Sequence, residues 1–218
     1  MLQAQVNAGP LAPGAMARGG AMVEESDDEL LHRAGRGDRA AFAVLVTRHV
    51  RRAAAIAGRI VGNAGDAEEI VQEAFLKTWL KAPDWEAQTT HASGARFSTW
   101  FYRVLVNLSI DRKRRPRLFV LEAAGDPADP GPDAFDEVAG GETARRVREA
   151  VGALPERQRA ALTLCHFEGM SNAEAAQVLE VSVGALESLL VRARRNLRDT
   201  LADLMEPSGG PSGGEVKP

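Results

Sequence analysis

The stretch Ser171-Asn172-Ala173-Glu174-Ala175-Ala176-Gln177-Val178-Leu179-Glu180-Val181-Ser182 leads directly into Val183-Gly184-Ala185-Leu186-Glu187-Ser188-Leu189-Leu190-Val191-Arg192-Ala193-Arg194-Arg195. Ser171 followed three residues later by Glu174 is a capping box, so a helix opens here and runs to Leu179. After Glu180-Val181, Ser182 caps a second helix that extends through Leu197. Two helices joined by so tight a turn match the helix-turn-helix that lays its second helix in the major groove. Without DNA the same pair is a plain αα-hairpin. Arg192, Arg194, Arg195 and Arg198 on the second helix favour the DNA-reading version.

Upstream of this motif, Thr143–Ala153 reads as one amphipathic helix, and Leu154-Pro155-Glu156 starts another with Pro155 in its first turn. That helix turns Ala160, Ala161, Leu162, Leu164 and Cys165 inward and ends near Gly169. The N-terminal part of the chain is helical as well. Ser26-Asp27-Asp28-Glu29 is a second capping box, opening a helix that stops at Gly35 or Gly37. Asp38 caps a long helix to about Val61, with Ala41, Phe42, Leu45, Val46, Ala53, Ile56, Ala57 and Ile60 at helical spacing. Asn63-Ala64-Gly65 breaks it, and Asp66 is expected to cap a third helix to about Lys81. Pro83 to Gly94 reads as a loop, and a fourth helix runs from about Ser98 to Arg114, ended by Pro116.

The expected fold is therefore all-α: two small helical domains joined by a flexible acidic linker. Residues 23–116 form a helical bundle, 117–142 the linker and 143–204 the helix-turn-helix domain, with 1–22 and 205–218 as disordered ends. Met16 and Met22 are alternative starts. From Leu118 to Glu142 there are seven acidic residues and no Lys or Arg. The chain carries one cysteine, which excludes an internal disulfide framework and suits a reducing cytoplasm. No apolar run approaches the ~20 residues of a membrane span, and the N-terminus lacks the charged-then-apolar order of a signal peptide. A formal charge of −3 means that bulk electrostatics would not draw the protein onto DNA, so local basic patches and a partner must supply the affinity.

One such patch is local and strong. Seven Phe, three Trp and one Tyr are the chain's aromatic residues, and four of these eleven lie in Phe97-Ser98-Thr99-Trp100-Phe101-Tyr102. Arg103 and Asn107 follow, then Arg112-Lys113-Arg114-Arg115. Rings stack on unpaired bases and cations neutralise phosphates, so a helix with rings at one end and cations at the other can hold opened, single-stranded DNA. Some rings must pack the bundle instead, and a cation run also stabilises a helix C-terminus.

Three segments taken in order carry a family likeness: Asp66-Ala67-Glu68-Glu69-Ile70-Val71-Gln72-Glu73-Ala74-Phe75, the aromatic-to-basic helix, and Gly169 through Arg194. Together they resemble a bacterial RNA polymerase sigma factor of the sigma-70 family, extracytoplasmic-function (ECF) type, over 27–115 and 143–204. The likeness implies a region 2 domain followed by a region 4 domain with no region 3 between. It implies that Glu69, Gln72 and Glu73 meet the β′ clamp helices of core RNA polymerase, while region 4 meets the β flap. It implies −10 promoter contacts from Phe97, Trp100, Phe101, Tyr102, Arg103, Asn107, Arg112, Lys113, Arg114 and Arg115. For the −35 element it points to Ser182, Gly184, Ala185, Glu187, Ser188, Arg192 and Arg194. Glu187, Ser188 and Leu189 stand where many relatives place a basic residue, Ser and Arg, so the −35 contacts do not transfer simply. An anti-sigma partner is implied as well.

The likeness also gives the acidic linker a path through the polymerase channels that later hold RNA; a merely soluble linker explains its composition almost as well. No cofactor and no enzyme activity are expected. The histidines stand apart at 32, 49, 91 and 166, without metal-ligand spacing, and there is no phosphate-cradling glycine loop. Cys165-His166 is expected to be a packing pair. The rival reading is a stand-alone helix-turn-helix regulator, which would bind a palindromic duplex without polymerase.

Overall fold

The computed structural model describes residues 25–85, 97–114 and 141–205. The expected linker, the two chain ends and most of the loop after Pro83 lie outside the described residues, as does Arg115. Among the described residues every regular element is helical.

Both capping boxes form. Ser26 Oγ accepts from the Glu29 N–H while the Glu29 carboxylate accepts from the Ser26 N–H, which starts α1 (Asp27–Gly35). Asp38 accepts from the N–H groups of Ala40 and Ala41 and starts α2 (Arg39–Val61). At the far end Gly62 adopts the left-handed conformation, φ 85°, that a side chain would oppose. The third helix begins earlier than expected. Asn63, not Asp66, is the cap of α3 (Ala64–Lys81), its Oδ1 accepting the Asp66 N–H at 2.7 Å. The Asp66 carboxylate answers with one oxygen, accepting from Asn63 Nδ2 at 2.7 Å, and its other oxygen takes Arg112, 2.8 Å away on the fourth helix.

A 3-10 turn at Ala82–Asp84 follows, then α4 (Phe97–Arg114). Gly35 sits where this turn presses on α1. A Cβ there would lie 2.3 Å from the Ala82 carbonyl oxygen, so no larger residue fits without moving backbone. The four helices close around an aromatic core. Phe101 stacks on Phe97 at 5.5 Å between centroids and meets Phe75 at 4.8 Å, with the His49 ring 5.8 Å away.

In the second half, α5 (Glu142–Ala153) leads to α6 (Glu156–Leu162). Pro155 is the cap of α6 rather than a member of its first turn, and no side chain completes that cap. The buried Arg159 guanidinium turns back instead and donates from Nη2 to the Leu154 carbonyl at 2.9 Å. The helix then widens into a π turn at Thr163–Phe167. This turn leaves Cys165 half-buried and His166 exposed, so the pair does not pack inward together as expected. Helix α7 (Asn172–Leu179) carries its capping box from Ser171, and α8 (Val183–Thr200) is capped by Ser182. A short α9 (Ala202–Met205) ends the described chain.

The two halves are not held apart. Helix α7 packs on α4, and α6 touches both α2 and α4. One cluster of buried side chains contains Tyr102, Val106 and Ile110 of α4 together with Ala175, Ala176, Val178 and Leu179 of α7.

Candidate nucleic-acid interface

The aromatic-to-basic helix divides its side chains between the bundle core and an open face. Phe97 and Phe101 are fully buried, and Tyr102 is 2% exposed. In this conformation none of these three rings is open to a base, a correction that follows for Phe97 and Phe101 from the bundle core's need for them and for Tyr102 from its place in the cluster shared with α7. Tyr102 also sits in a polar chain: its hydroxyl is 3.0 Å from His49 Nδ1, and His49 Nε2 is 2.7 Å from Asp27 Oδ2. The tautomer that donates from Nε2 to Asp27 and accepts at Nδ1 from the tyrosine satisfies all three groups. Burial pushes the Tyr102 phenol up to about 12.

The ring left toward the surface is Trp100, half-buried beside Trp85 at 5.5 Å. Helical spacing aligns it with Val104, Asn107, Asp111 and Arg114, of which Asn107, Asp111 and Arg114 are exposed. This stripe runs from a ring to a cation along one open face. Arg103 lies beside it with its Nη1 3.3 Å from Glu180 of the other half.

The cation run is similarly divided. Arg112 is turned onto α3, with Nη1 2.8 Å from Asp66 and 2.7 Å from Glu69. Both carboxylates hold its guanidinium pKa above the ordinary arginine value, with Glu69 the stronger cause. Lys113 Nζ reaches the Val61 carbonyl at 3.4 Å, where it meets the C-terminal end of α2. Arg114 is exposed.

On α3 the expected trio shares one outer face. Gln72 is exposed, Glu69 is tied to Arg112, and Glu73 is 3.3 Å from Lys77. Sequence reasoning missed how this face continues: Leu76 and Leu80, 57% and 67% exposed, extend the same stripe. The spacing was the available signal: Leu76 is four residues from Gln72 and three from Glu73, and Leu80 is four further on.

The second DNA candidate, α8, packs on α5, α6 and α7 through Leu186, Leu190 and Ala193. Gly184, Ala185, Glu187, Ser188, Arg192 and Arg194 are exposed. Ser182 Oγ is used in capping, accepting from the Ala185 N–H at 3.2 Å, and Ser188 Oγ donates to the Gly184 carbonyl at 2.9 Å. Glu187 is 3.5 Å from Asn172 Nδ2, and Arg194 Nη2 is 3.2 Å from His166 Nε2. A Cβ on Gly184 would meet nothing within 4 Å, so internal packing gives no reason for glycine there.

A helix-turn-helix with a basic second helix, joined in one chain to a bundle that displays an aromatic-to-basic helix, defines a two-module transcription factor of the sigma-70 class. The Sigma-70 region 2 model matches residues 45–118, and the Sigma-70 region 4 model matches 144–197. The RNA polymerase sigma-H factor of Pseudomonas aeruginosa is 30% identical over 195 residues, 84% of this chain and 98% of its own length. The ECF sigma factor SigM of Mycobacterium tuberculosis is 34% identical over 85% of this chain and 89% of its own. SigW of Bacillus subtilis is 30% identical over 78% and 93%. Among solved structures, CnrH in complex with the cytosolic domain of CnrY is similar at a TM-score of 0.58, with 29% identity over 84% of this chain and all of CnrH. RpoE of Bartonella quintana shares the fold at a TM-score of 0.52 and 24% identity, over 76% of this chain and 98% of its own. The chain belongs to the ECF family of RNA polymerase sigma factors, and it is a factor for transcription initiation.

Proposed function

We propose that this protein works as a cytoplasmic, non-catalytic subunit that docks on core RNA polymerase through α3 and reads promoter DNA through α4 and α8. The observation that carries the reading is the open stripe on α4 from Trp100 through Asn107 to Arg114. It lies at the edge of the bundle, where Trp100 and Val104 pack partly against the core while Asn107, Asp111 and Arg114 are exposed. Trp100 offers the stacking ring, Asn107 a paired donor and acceptor for a base edge, and Arg114 with Arg115 the phosphate contacts. Arg112 plays a different part. It braces α4 against the start of α3 and so fixes the −10 helix relative to the docking face.

On α3, Gln72 and Glu73 supply charge-assisted bonds to a basic partner helix, and Leu76 and Leu80 supply apolar area beside them. No helix among the described residues is long and apolar enough to cross a membrane, which suits a protein that works on polymerase. CnrH was solved in complex with the cytosolic domain of CnrY, which supports a bound protein partner for this chain, the role that the expected anti-sigma factor would fill. The docking role is tested by co-elution with core polymerase. Gln72→Ala with Leu76→Ala should release the protein from core while leaving its helical content intact; undiminished co-elution removes α3 from the interface.

On α8, Gly184 is the residue that the fold does not require and a closely approaching DNA backbone does. Gly184→Ala should raise stability by about 0.5–1 kcal/mol, because alanine costs less helix entropy. It should also weaken −35 duplex binding. Thermal unfolding and a duplex titration, run on the same variant, read the two effects in opposite directions.

A further inference from the structure

The outer face of α8 carries two residues that the fold does not use. Leu186, Leu190 and Ala193 turn inward, so helical spacing gathers Gly184, Glu187, Ser188, Val191 and Arg195 on the opposite side, where all are exposed. Val191 is 63% exposed, the most open large apolar residue described in this half. A β-branched residue in that position gains the helix nothing, since alanine is the better helix former. Glu187 is explained no better by its own helix. It is the fifth residue of α8, past the first turn in which the helix dipole favours a carboxylate. No cation stands three or four residues away to pair with it: those positions are Val183, Gly184, Leu190 and Val191. Among the described residues its polar contact is Asn172 at the start of α7, whose Nδ2 is 3.5 Å from Oε1. That contact leaves Oε2 for an incoming donor. Arg192, Arg194, Arg195 and Arg198 follow on the same helix, so a helix built to approach phosphate brings a carboxylate with it.

We propose that Glu187 and Val191 set the base preference of this protein's −35 element: Glu187 accepts from the N4 amino group of a cytosine, and Val191 packs on the methyl group of a nearby thymine. This inference rests on the assignment of α8 to the −35 duplex and deepens it by naming bases. A carboxylate in the major groove loses affinity unless a base donor meets it. Guanine shows two acceptors there, and thymine an acceptor and a methyl group. Adenine sets its N7 acceptor beside its N6 donor, so cytosine alone offers a donor with no acceptor on the same base edge. The charge therefore selects one base and repels the rest. Residues 187 and 191 are separated by about 6 Å along the helix, roughly two base-pair steps. The cytosine and the thymine then belong to one short element, on the same strand or on opposite strands. Ser188 between them donates its hydroxyl proton to the Gly184 carbonyl, so that proton is not offered to a base acceptor.

Selection from randomised DNA tests the assignment. The full chain bound to core RNA polymerase is mixed with duplexes that carry one fully randomised helical turn, and the retained sequences are counted against those held by core polymerase alone. The parent should enrich cytosine about tenfold at one position, with thymine enriched close by. Glu187→Gln should move the first preference to adenine, whose N6 and N7 match a side-chain amide, and Glu187→Arg should move it to guanine. Val191→Ala should lower the thymine preference about threefold or more and leave the cytosine in place. Helix α4 is the same in every variant, so any preference that it contributes cancels in the comparison. A merely structural role for either residue would change overall retention and leave the identity of the selected bases alone. All three substitutions are on the open face, and circular dichroism should match the parent.

Selected bases that stay the same in all three variants overturn the proposal and leave α8 on the DNA. A thymine preference untouched by Val191→Ala overturns that half of it. Retention that Arg192→Ala with Arg195→Ala does not weaken removes α8 from the duplex altogether, and the proposal falls with that reading.

Discussion

Phe101→Ala should cost about 3–5 kcal/mol of stability, the range for removing a fully buried aromatic ring. Phe101 is 0% exposed and has ring contacts to Phe97, Phe75, Tyr102 and His49 from three helices. Alanine leaves a cavity that these neighbours cannot fill without leaving their rotamers, since Phe97 is itself fully buried. A small helical protein has roughly 5–15 kcal/mol in total, so the variant loses a large share of it. Urea unfolding followed by circular dichroism reads the loss as a lower midpoint at similar slope. A midpoint within error of the parent would mean that Phe101 faces solvent and that the α4 stripe is assigned to the wrong side.

The second large effect is on DNA. Alanine at Lys113, Arg114 and Arg115 should reduce promoter-dependent initiation roughly tenfold or more and lower the salt dependence of promoter binding by about two to three in log–log slope. Arg112 is left in place on purpose. Its contacts with Asp66 and Glu69 join α4 to α3, so removing it would confound loss of DNA contact with loss of bundle geometry. Core polymerase binding by the triple variant should match the parent, because α3 is untouched. Salt titration of promoter binding together with core co-elution checks both halves of the expectation. An unchanged slope would take the phosphate role away from this run.

What the sequence revealed in advance was local. The capping residues Ser26, Asp38, Ser171 and Ser182 were readable because each side chain bonds a backbone N–H two or three positions away. The start of α3 was not, because Asn63 and Asp66 can both cap. In the fold Asn63 is the cap, and Asp66 bonds both the Asn63 side chain and Arg112, 46 residues away. The division of the rings was equally hidden: four aromatics in six residues say that some pack inward, and the bundle decides that Trp100 alone stays half-buried at the edge. The expectation of two domains on a flexible linker gave no hint of the contact between α4 and α7. The ion pairs that join the halves beside it, Arg52 and Arg59 of α2 with Glu168, lie 116 and 109 residues apart, beyond any periodicity or capping rule.

Run-off transcription with purified core RNA polymerase, with and without this protein, tests the central claim most directly. On a template carrying promoters from its own genome, the account predicts discrete transcripts that require the full chain and disappear when Gln72 and Leu76 are both changed to alanine. No transcript above core polymerase alone, together with tight binding of a palindromic duplex in the absence of polymerase, would contradict it and identify a stand-alone helix-turn-helix regulator.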